Sequence, residues 1–353
     1  MIVAGSAAAG LTVVGGGVFF GRQAYRNAAE VASLNRPHLR GIVPAPHAVL
    51  IALQRRSQNV EVRQRELRQV VFEVRAAGAH GQDAWLGLGS GLFRGRTGAP
   101  RQLTTMPGFA GDVLDPAQSH GDLLIQIAGR DGSDVRAAIE GVLRGLPGWR
   151  LRWRIEGFRA ENRVKDGRGL ARNPFHFADG FGNPDNRRGI ADRVLVRADQ
   201  GEPDWVVGGS YQVIRIVRLA TELWDKDTIH EQERIIGRRR DGRWLDGTPS
   251  DEEPNFAADP KGKATPLDSH VRLAAPDRRN PPPVVRRSYS YDHGNGDTGL
   301  IFSCFQRDLA KGFEAVQKRL ESEAMAKYLL TTGGGYFFIP PPGDAWIDAA
   351  FES

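Results

Sequence analysis

Between Leu123 and Ile155 the spacing of apolar residues changes twice, and those changes restrict the fold more than any other stretch of the chain. Leu123-Leu-Ile-Gln-Ile-Ala128 reads as a strand. From Asp134 the apolar residues Val135, Ala138, Ile139, Val142, Leu143 and Leu146 recur at helical spacing on one face, and Leu146-Pro-Gly148 stops the helix. Trp149-Arg-Leu-Arg-Trp-Arg-Ile155 then alternates with period two, the pattern of a strand with one wet face. The same order recurs later. Tyr211–Leu219 and Leu300–Phe305 read as strands, Leu309, Phe313, Val316 and Leu320 form a helical stripe, and Tyr336–Ile339 is a strand before a proline stop. Two halves of β-α-β order without an evident repeat predict an α+β chain, built as two sandwiches with helices on one face of each sheet. A first strand is expected at Gln69–Arg75. The glycine-rich run Trp85–Phe93 lacks the Lys-Ser/Thr of a phosphate-binding loop and is not read as a nucleotide site.

At 353 residues the chain holds one large domain or two ordinary ones, with enough apolar content for a real core. A single cysteine, Cys304, excludes an intrachain disulfide and a cysteine metal cluster, and its apolar surroundings predict a packed thiol. The net charge of +6 is spread among acidic residues, which fits a solvated surface better than a nucleic-acid face. The one dense basic cluster, Arg238-Arg239-Arg240 with Arg243, reads as a loop or a substrate rim. The first twenty-one residues carry no charge. They read as the apolar region of an export signal or as an uncleaved anchor, and weak membrane association through them is expected. The alternative is a cytoplasmic protein with an apolar tail. Residues 22 to 47 read as a linker or irregular arm.

The chemistry gathers in two stretches. In the first, Asp268-Ser269-His270-Val271-Arg272 is followed sixteen residues after the histidine by Arg286, in Val284-Val285-Arg286-Arg287-Ser288. The second is Phe175-His176-Phe177-Ala178-Asp179-Gly180-Phe181-Gly182-Asn183-Pro184. Together they resemble the dye-decolorizing peroxidase family, whose haem proteins carry a GxxDG motif followed by Asn-Pro, a histidine in an S-H-[IV]-R context and a distal arginine. Further landmarks stand in the family's order: Met106–Pro116, Ser119–Gln126, Gly209–Arg215 and Gly334–Pro341. The resemblance covers roughly residues 40 to 345. One position departs, since His176 stands where the motif has its first glycine. Either His176 approaches the haem edge, or it only replaces a turn glycine and points to solvent.

The resemblance implies two ferredoxin-like domains of the dimeric α+β barrel type, 48–200 and 201–353, after a signal-like segment and linker at 1–47. Haem b would sit mainly in the second. It also implies His270 as the iron ligand, Asp179 as the distal proton shuttle and Arg286 as the stabiliser of the departing oxygen, with Ser288 a polar neighbour. Arg272 would steady a haem propionate. A ligating histidine usually donates its second ring nitrogen to a carboxylate, for which Glu323 and Asp308 are candidates, Glu323 being favoured. Hydrogen peroxide and aromatic electron donors are then the partners, with no nucleic acid and with room for a homo-oligomer. Because Asp179 must be ionised to accept a proton while later reductions consume protons, dye oxidation should have an acidic optimum. Export by the twin-arginine route, which carries folded proteins, is expected. A second reading from the same resemblance is a haem-handling protein that takes up haem and passes on or stores its iron.

Overall fold

In the computed structural model, residues 45–56, 64–79, 81–159, 172–179, 181–184 and 186–351 are described; the apolar N-terminal segment lies outside them. The first unit runs β1 (His47–Arg55), α1 (Gln64–Gly78), β2 (Asp83–Leu88), β3 (Leu123–Gly129), α2 (Gly132–Gly145) and β4 (Trp149–Phe158). Its strands lie in the order β2-β3-β1-β4, all antiparallel. That is the split βαβ arrangement of a ferredoxin-like unit. The helix limits follow local chemistry: the Asp131 carboxylate accepts hydrogen bonds from the backbone of Ser133 and Asp134 at the start of α2, and Pro147 follows its end.

Two expectations change here. Gln69–Arg75, expected as a strand, lies inside α1. Its β-branched residues favour a strand locally, but Leu67, Val70, Val71, Val74 and Ala77 are buried at three- and four-residue spacing, and packing overrides that preference. Conversely, the strand β1 begins at His47, within the segment read as a linker. Six of its nine residues are buried in succession, so it shows no period-two signature.

The second unit repeats the order with a long excursion. It comprises β5 (Ser210–Leu219), α3 (His270–Ala274), β6 (Val285–Arg286), β7 (Tyr289–Asp292), β8 (Thr298–Gln306), α4 (Ala315–Leu320) and β9 (Leu329–Ile339). A π-helical turn, Ala310–Glu314, leads into α4. β5 lies between β8 and β9, and β6 and β7 both pair with β8. Single residue pairs join the units edge to edge, Leu88 with Phe338 and Phe158 with Ser290. With the β5–β8 pairing these close the nine strands into one continuous sheet.

Inside the closed sheet, Leu50, Ala52, Leu124 and Trp153 of the first unit pack with Ile214, Ile216, Ile301 and Phe337 of the second. Outside the first unit's strands, α1 and α2 cover Val49, Ile51, Ile125 and Ile127. The outer face of the second sheet carries instead the 220–284 excursion, α3 and α4, and there the candidate site lies.

Candidate active site

Under α3 and α4 is a cavity of about 630 Å³, within the range of cofactor sites. Its floor is the outer face of the second sheet: Arg215, Val217 and Leu219 of β5, Leu300, Phe302 and Cys304 of β8, and Thr331 of β9. Alternation along each strand puts those residues on one side. The walls include His270, Glu323, Asp179, Arg286 and Ser288, so residues as far apart in sequence as 179 and 323 meet at one space.

His270 is the first residue of α3, after a buried Ser269 whose hydroxyl donates to the Pro266 carbonyl at 2.7 Å. Its Nδ1 lies 2.6 Å from Glu323 Oε2, and the Glu323 side chain is only 4% exposed. A carboxylate can only accept, so the imidazole donates from Nδ1 and keeps the Nε2 lone pair available. The pair is held by the packing of α3 on α4. From α4, the Arg319 guanidinium donates to the last carbonyls of α3, Leu273 at 2.8 Å and Ala274 at 2.9 Å, a favourable place for a cation. One turn beyond, the backbone N–H of Glu323 donates to Leu320. Asp308, the other carboxylate considered, accepts from the backbone of Lys311 and is absent from the cavity wall.

Asp179 and Arg286 are brought together by Asn183. The Asn183 side chain accepts from the backbone N–H of Arg286 and donates to its carbonyl, both at 2.8 Å. This reciprocal pair explains the Asn-Pro after the aspartate: it fastens the 179–184 loop to β6. Arg286 Nη2 also donates to the Phe181 carbonyl at 2.9 Å. Gly182 is left-handed at φ +81°, and a Cβ there would come within 2.9 Å of Arg286 Nη2, so a side chain would displace the guanidinium. Burial lowers the Arg286 pKa, while Asp179 and Cys304 oppose the shift. A guanidinium nevertheless stays charged. Asp179 itself is an exposed residue at the cavity wall. Ser288, also in the wall, accepts from the backbone of Ser303 at 3.4 Å. The Cys304 thiol is pushed up to about 12 by burial, in keeping with a packed side chain.

His176 takes up a left-handed conformation at φ +68° and does not line the cavity. Its Nε2 lies 2.9 Å from Asp225 Oδ1, with both side chains about half exposed. Of the two readings, the turn replacement fits and the haem-edge approach does not.

Arg272 lies apart from the others. It is buried and turned from the cavity, giving hydrogen bonds to the Asp259 carboxylate at 3.1 Å and to the carbonyls of Thr265, Phe256 and Asp259. Those bonds hold the excursion together, and Arg272 is not among the residues of the cavity wall.

One residue pair in the wall escaped the sequence reading. Arg215 of β5 meets Asp112 of the first unit in two hydrogen bonds of 2.5 and 3.1 Å, with side chains 7% and 3% exposed. Its Nη2 also donates to Thr331, and its guanidinium lies 5.1 Å from the Phe109 ring centre. The 106–116 landmark thus crosses from the first unit to the second unit's cavity.

Comparison with known proteins follows the same outline. The family description "Dyp-type peroxidase, N-terminal" matches residues 68–159, and "Dyp-type peroxidase, C-terminal" matches 170–344. A deferrochelatase from Shigella flexneri is 39% identical over 264 residues, which cover 70% of this chain and 63% of that protein. The chain therefore spans less than two thirds of the curated relative it matches. Ferric DtpA from Streptomyces lividans superposes with a TM-score of 0.75 at 27% identity, over 86% of this chain and 90% of that one. A DyP-type peroxidase from Streptomyces coelicolor gives 0.77 at 26%, over 88% and 94%. With both family halves matched in order over a double ferredoxin-like fold, the chain belongs to the Dyp-type peroxidase family, whose cofactor is haem b.

Proposed function

We propose that the chain is a haem-b peroxidase of the dye-decolorizing type, which reduces hydrogen peroxide and oxidises aromatic donors such as dyes and phenols. The observation that carries this reading is the 2.6 Å His270–Glu323 pair in the wall of a cavity also lined by Asp179 and Arg286. The residues fit the cofactor: a neutral imidazole with its Nδ1 proton committed to a buried carboxylate is a strong iron ligand at Nε2. Haem, when bound, supplies the electrons that reduce peroxide.

The chain's own residues manage the protons and charge. Asp179 takes the proton from one peroxide oxygen and returns it to the other, which leaves as water. Arg286 keeps a fixed positive charge where negative charge grows on the departing oxygen. Its bonds to Phe181 and Asn183 hold it in place beforehand. Glu323 keeps the imidazole in one tautomer and one orientation. The exposure of Asp179 lets it recover protons from solvent between turnovers. We also infer export of the protein, on the strength of its uncharged first twenty-one residues. Among the described residues no helix is long and apolar enough to cross a membrane.

The relatives named deferrochelatase favour a second reading, removal of iron from haem. Incubating the haem-loaded protein with peroxide and an aromatic donor separates the two. A peroxidase accumulates oxidised donor over many turnovers and keeps its iron. Release of iron and metal-free porphyrin, with little oxidised donor, decides for the second reading.

A further inference from the structure

The Ser119–Gln126 stretch singled out in the sequence begins at a polar cluster none of whose residues lines the cavity. The loop 116–122 runs there from β9 across to β1 and β4. The His120 N–H donates to the Gly334 carbonyl at 2.6 Å, Trp153 Nε1 donates to the His120 carbonyl at 2.7 Å, and the Asp122 N–H donates to Leu53. From β4, Arg152 reaches over to the loop, its Nε and Nη2 donating to the carbonyls of Ser119 and Pro116, both at 2.6 Å. A bulge directs it. Ala52 of β1 pairs with Trp153 and Leu53 with Leu151, so Arg152 has no partner on β1. The phase of β4 changes at that point: Trp149 packs in the outer core and Trp153 inside the barrel. An extra residue in a strand re-aims side chains in this way.

The arginines of β4 differ in what they meet. Arg154, beyond the bulge, is paired with Glu140 at 2.5 Å and with Glu156 at 2.7 Å. Arg150 and Arg152 meet a neutral group instead: Arg150 Nη2 and Arg152 Nη1 both donate to one oxygen, Gln54 Oε1, each at 2.9 Å. Among the described residues no carboxylate lies within ion-pair distance of either guanidinium, and Arg150 Nε and Nη1 have no protein acceptor. Two cations drawn to the same neutral oxygen repel each other. His120 does not relieve them, since burial and the Arg152 charge hold its pKa below the usual histidine value and keep the ring neutral. Arg150 is exposed, so the pair is open to a ligand from solvent. Two donor forks side by side with free N–H groups match an anion that offers several oxygens, of which a phosphate group is the type.

We propose that Arg150 and Arg152, set side by side on Gln54, form a binding site for a phosphate-type oxyanion, separate from the cavity. The anion supplies to this pair the negative charge that Glu140 and Glu156 supply to Arg154. Gln54 is a positioning residue that sets the spacing of the two forks, and the 116–122 loop fixes Arg152. A free phosphate and the headgroup of an anionic lipid present the same chemistry.

The test is a calorimetric titration of the haem-loaded protein, its cavity filled, with inorganic phosphate in a phosphate-free buffer. Wild type should show one saturable site. Arg150→Gln should weaken it about tenfold, the usual loss of a charge-assisted hydrogen bond, and Arg154→Gln should leave it unchanged. Gln54→Glu places a carboxylate between the two guanidiniums and should abolish phosphate binding. The proposal is overturned by wild type without a saturable site, or by equal affinity in wild type and Arg150→Gln. An equal loss in Arg150→Gln and Arg154→Gln also overturns it, since that would reflect surface charge in general. Should Arg150→Gln not fold, Gln54→Glu decides alone, and undiminished binding by it refutes the site. Cosedimentation with phosphatidylglycerol vesicles, against phosphatidylcholine, separates the sources of a phosphate that does bind. Retention that Arg150→Gln lowers assigns the site to a lipid headgroup, and no retention assigns it to a free oxyanion.

Discussion

In the first unit the crossing from β1 to β2 is α1, fifteen residues whose Leu67, Val70, Val71 and Val74 fill the outer face of the sheet. In the second, the element in that position is α3, five residues beginning at His270, and beneath it lies a cavity of about 630 Å³. The surroundings correspond: α1 packs on α2 as α3 packs on α4. One strand order thus serves two purposes. A long apolar helix makes a core, whereas a short helix flanked by an excursion leaves room for a cofactor and replaces leucines with charged groups. The face that carries the cavity gives up packing, and it is braced by Arg215–Asp112, a link between the units.

The contrast can be broken at several points. The largest effect is expected on chemistry in the second unit: Asp179→Asn should slow the reaction with peroxide about 10²- to 10⁴-fold without loss of haem, as read by stopped-flow absorbance. A rate equal to wild type would remove Asp179 from the mechanism. Next comes the brace. Asp112→Ala strands the buried Arg215 and should lower stability by about 3–5 kcal/mol in denaturant titration; a change near zero would mean that the pair is no bridge. In the first unit Leu67→Ala should cost about 2–5 kcal/mol yet leave the haem spectrum unchanged. A spectral shift there would show that the two faces are coupled more tightly than their separate cores suggest.

Smaller effects sharpen the picture. His176→Gly relieves a left-handed residue, worth about 1–2 kcal/mol, and loses an exposed pair with Asp225 worth about 0–1 kcal/mol. Stability should be unchanged or rise by up to about 2 kcal/mol and peroxide reactivity should not change. A marked loss of reactivity would restore the haem-edge role for His176. For Cys304 the raised thiol pKa, about 12, means that the folded state binds the proton more tightly than the unfolded chain, whose thiol titrates near about 8.5. The stabilisation is complete below that lower value and is lost as pH rises towards the higher one. Iodoacetamide at pH 8 should leave the native thiol unmodified and alkylate it fully after denaturation; rapid native alkylation would place Cys304 in open solvent.

Much of this was legible in the sequence because period and local signal agreed. β3, α2, β4, β5, β8 and β9 each announce themselves by spacing, and α2 by its Pro stop as well. β1 and α1 did not. The first is buried on both faces and shows no alternation, and the second carries a Val-Val-Phe-Glu-Val run whose β preference hides a helical stripe reaching back to Leu67. At the candidate site, His270, Asp179 and Arg286 were visible through motifs and Glu323 was the favoured of two candidate carboxylates; all four line one cavity. The partners of Arg272 were not visible, because sequence gives no sign of Asp259 and the three carbonyls that accept from it. Asp112 and Arg215 stand about a hundred residues apart, so neither carries a local trace of the other. Only the unexplained landmarks at Met106–Pro116 and Gly209–Arg215 pointed to that region.

The account turns on whether this cavity holds haem through His270 and uses it on peroxide. The direct measurement is the absorption spectrum of the haem-loaded protein, wild type and His270→Ala, before and after one equivalent of hydrogen peroxide. The account predicts a wild-type Soret band that changes within seconds, and a weak or shifted band for His270→Ala. A wild-type band unmoved by peroxide, or identical spectra for the two proteins, would contradict it.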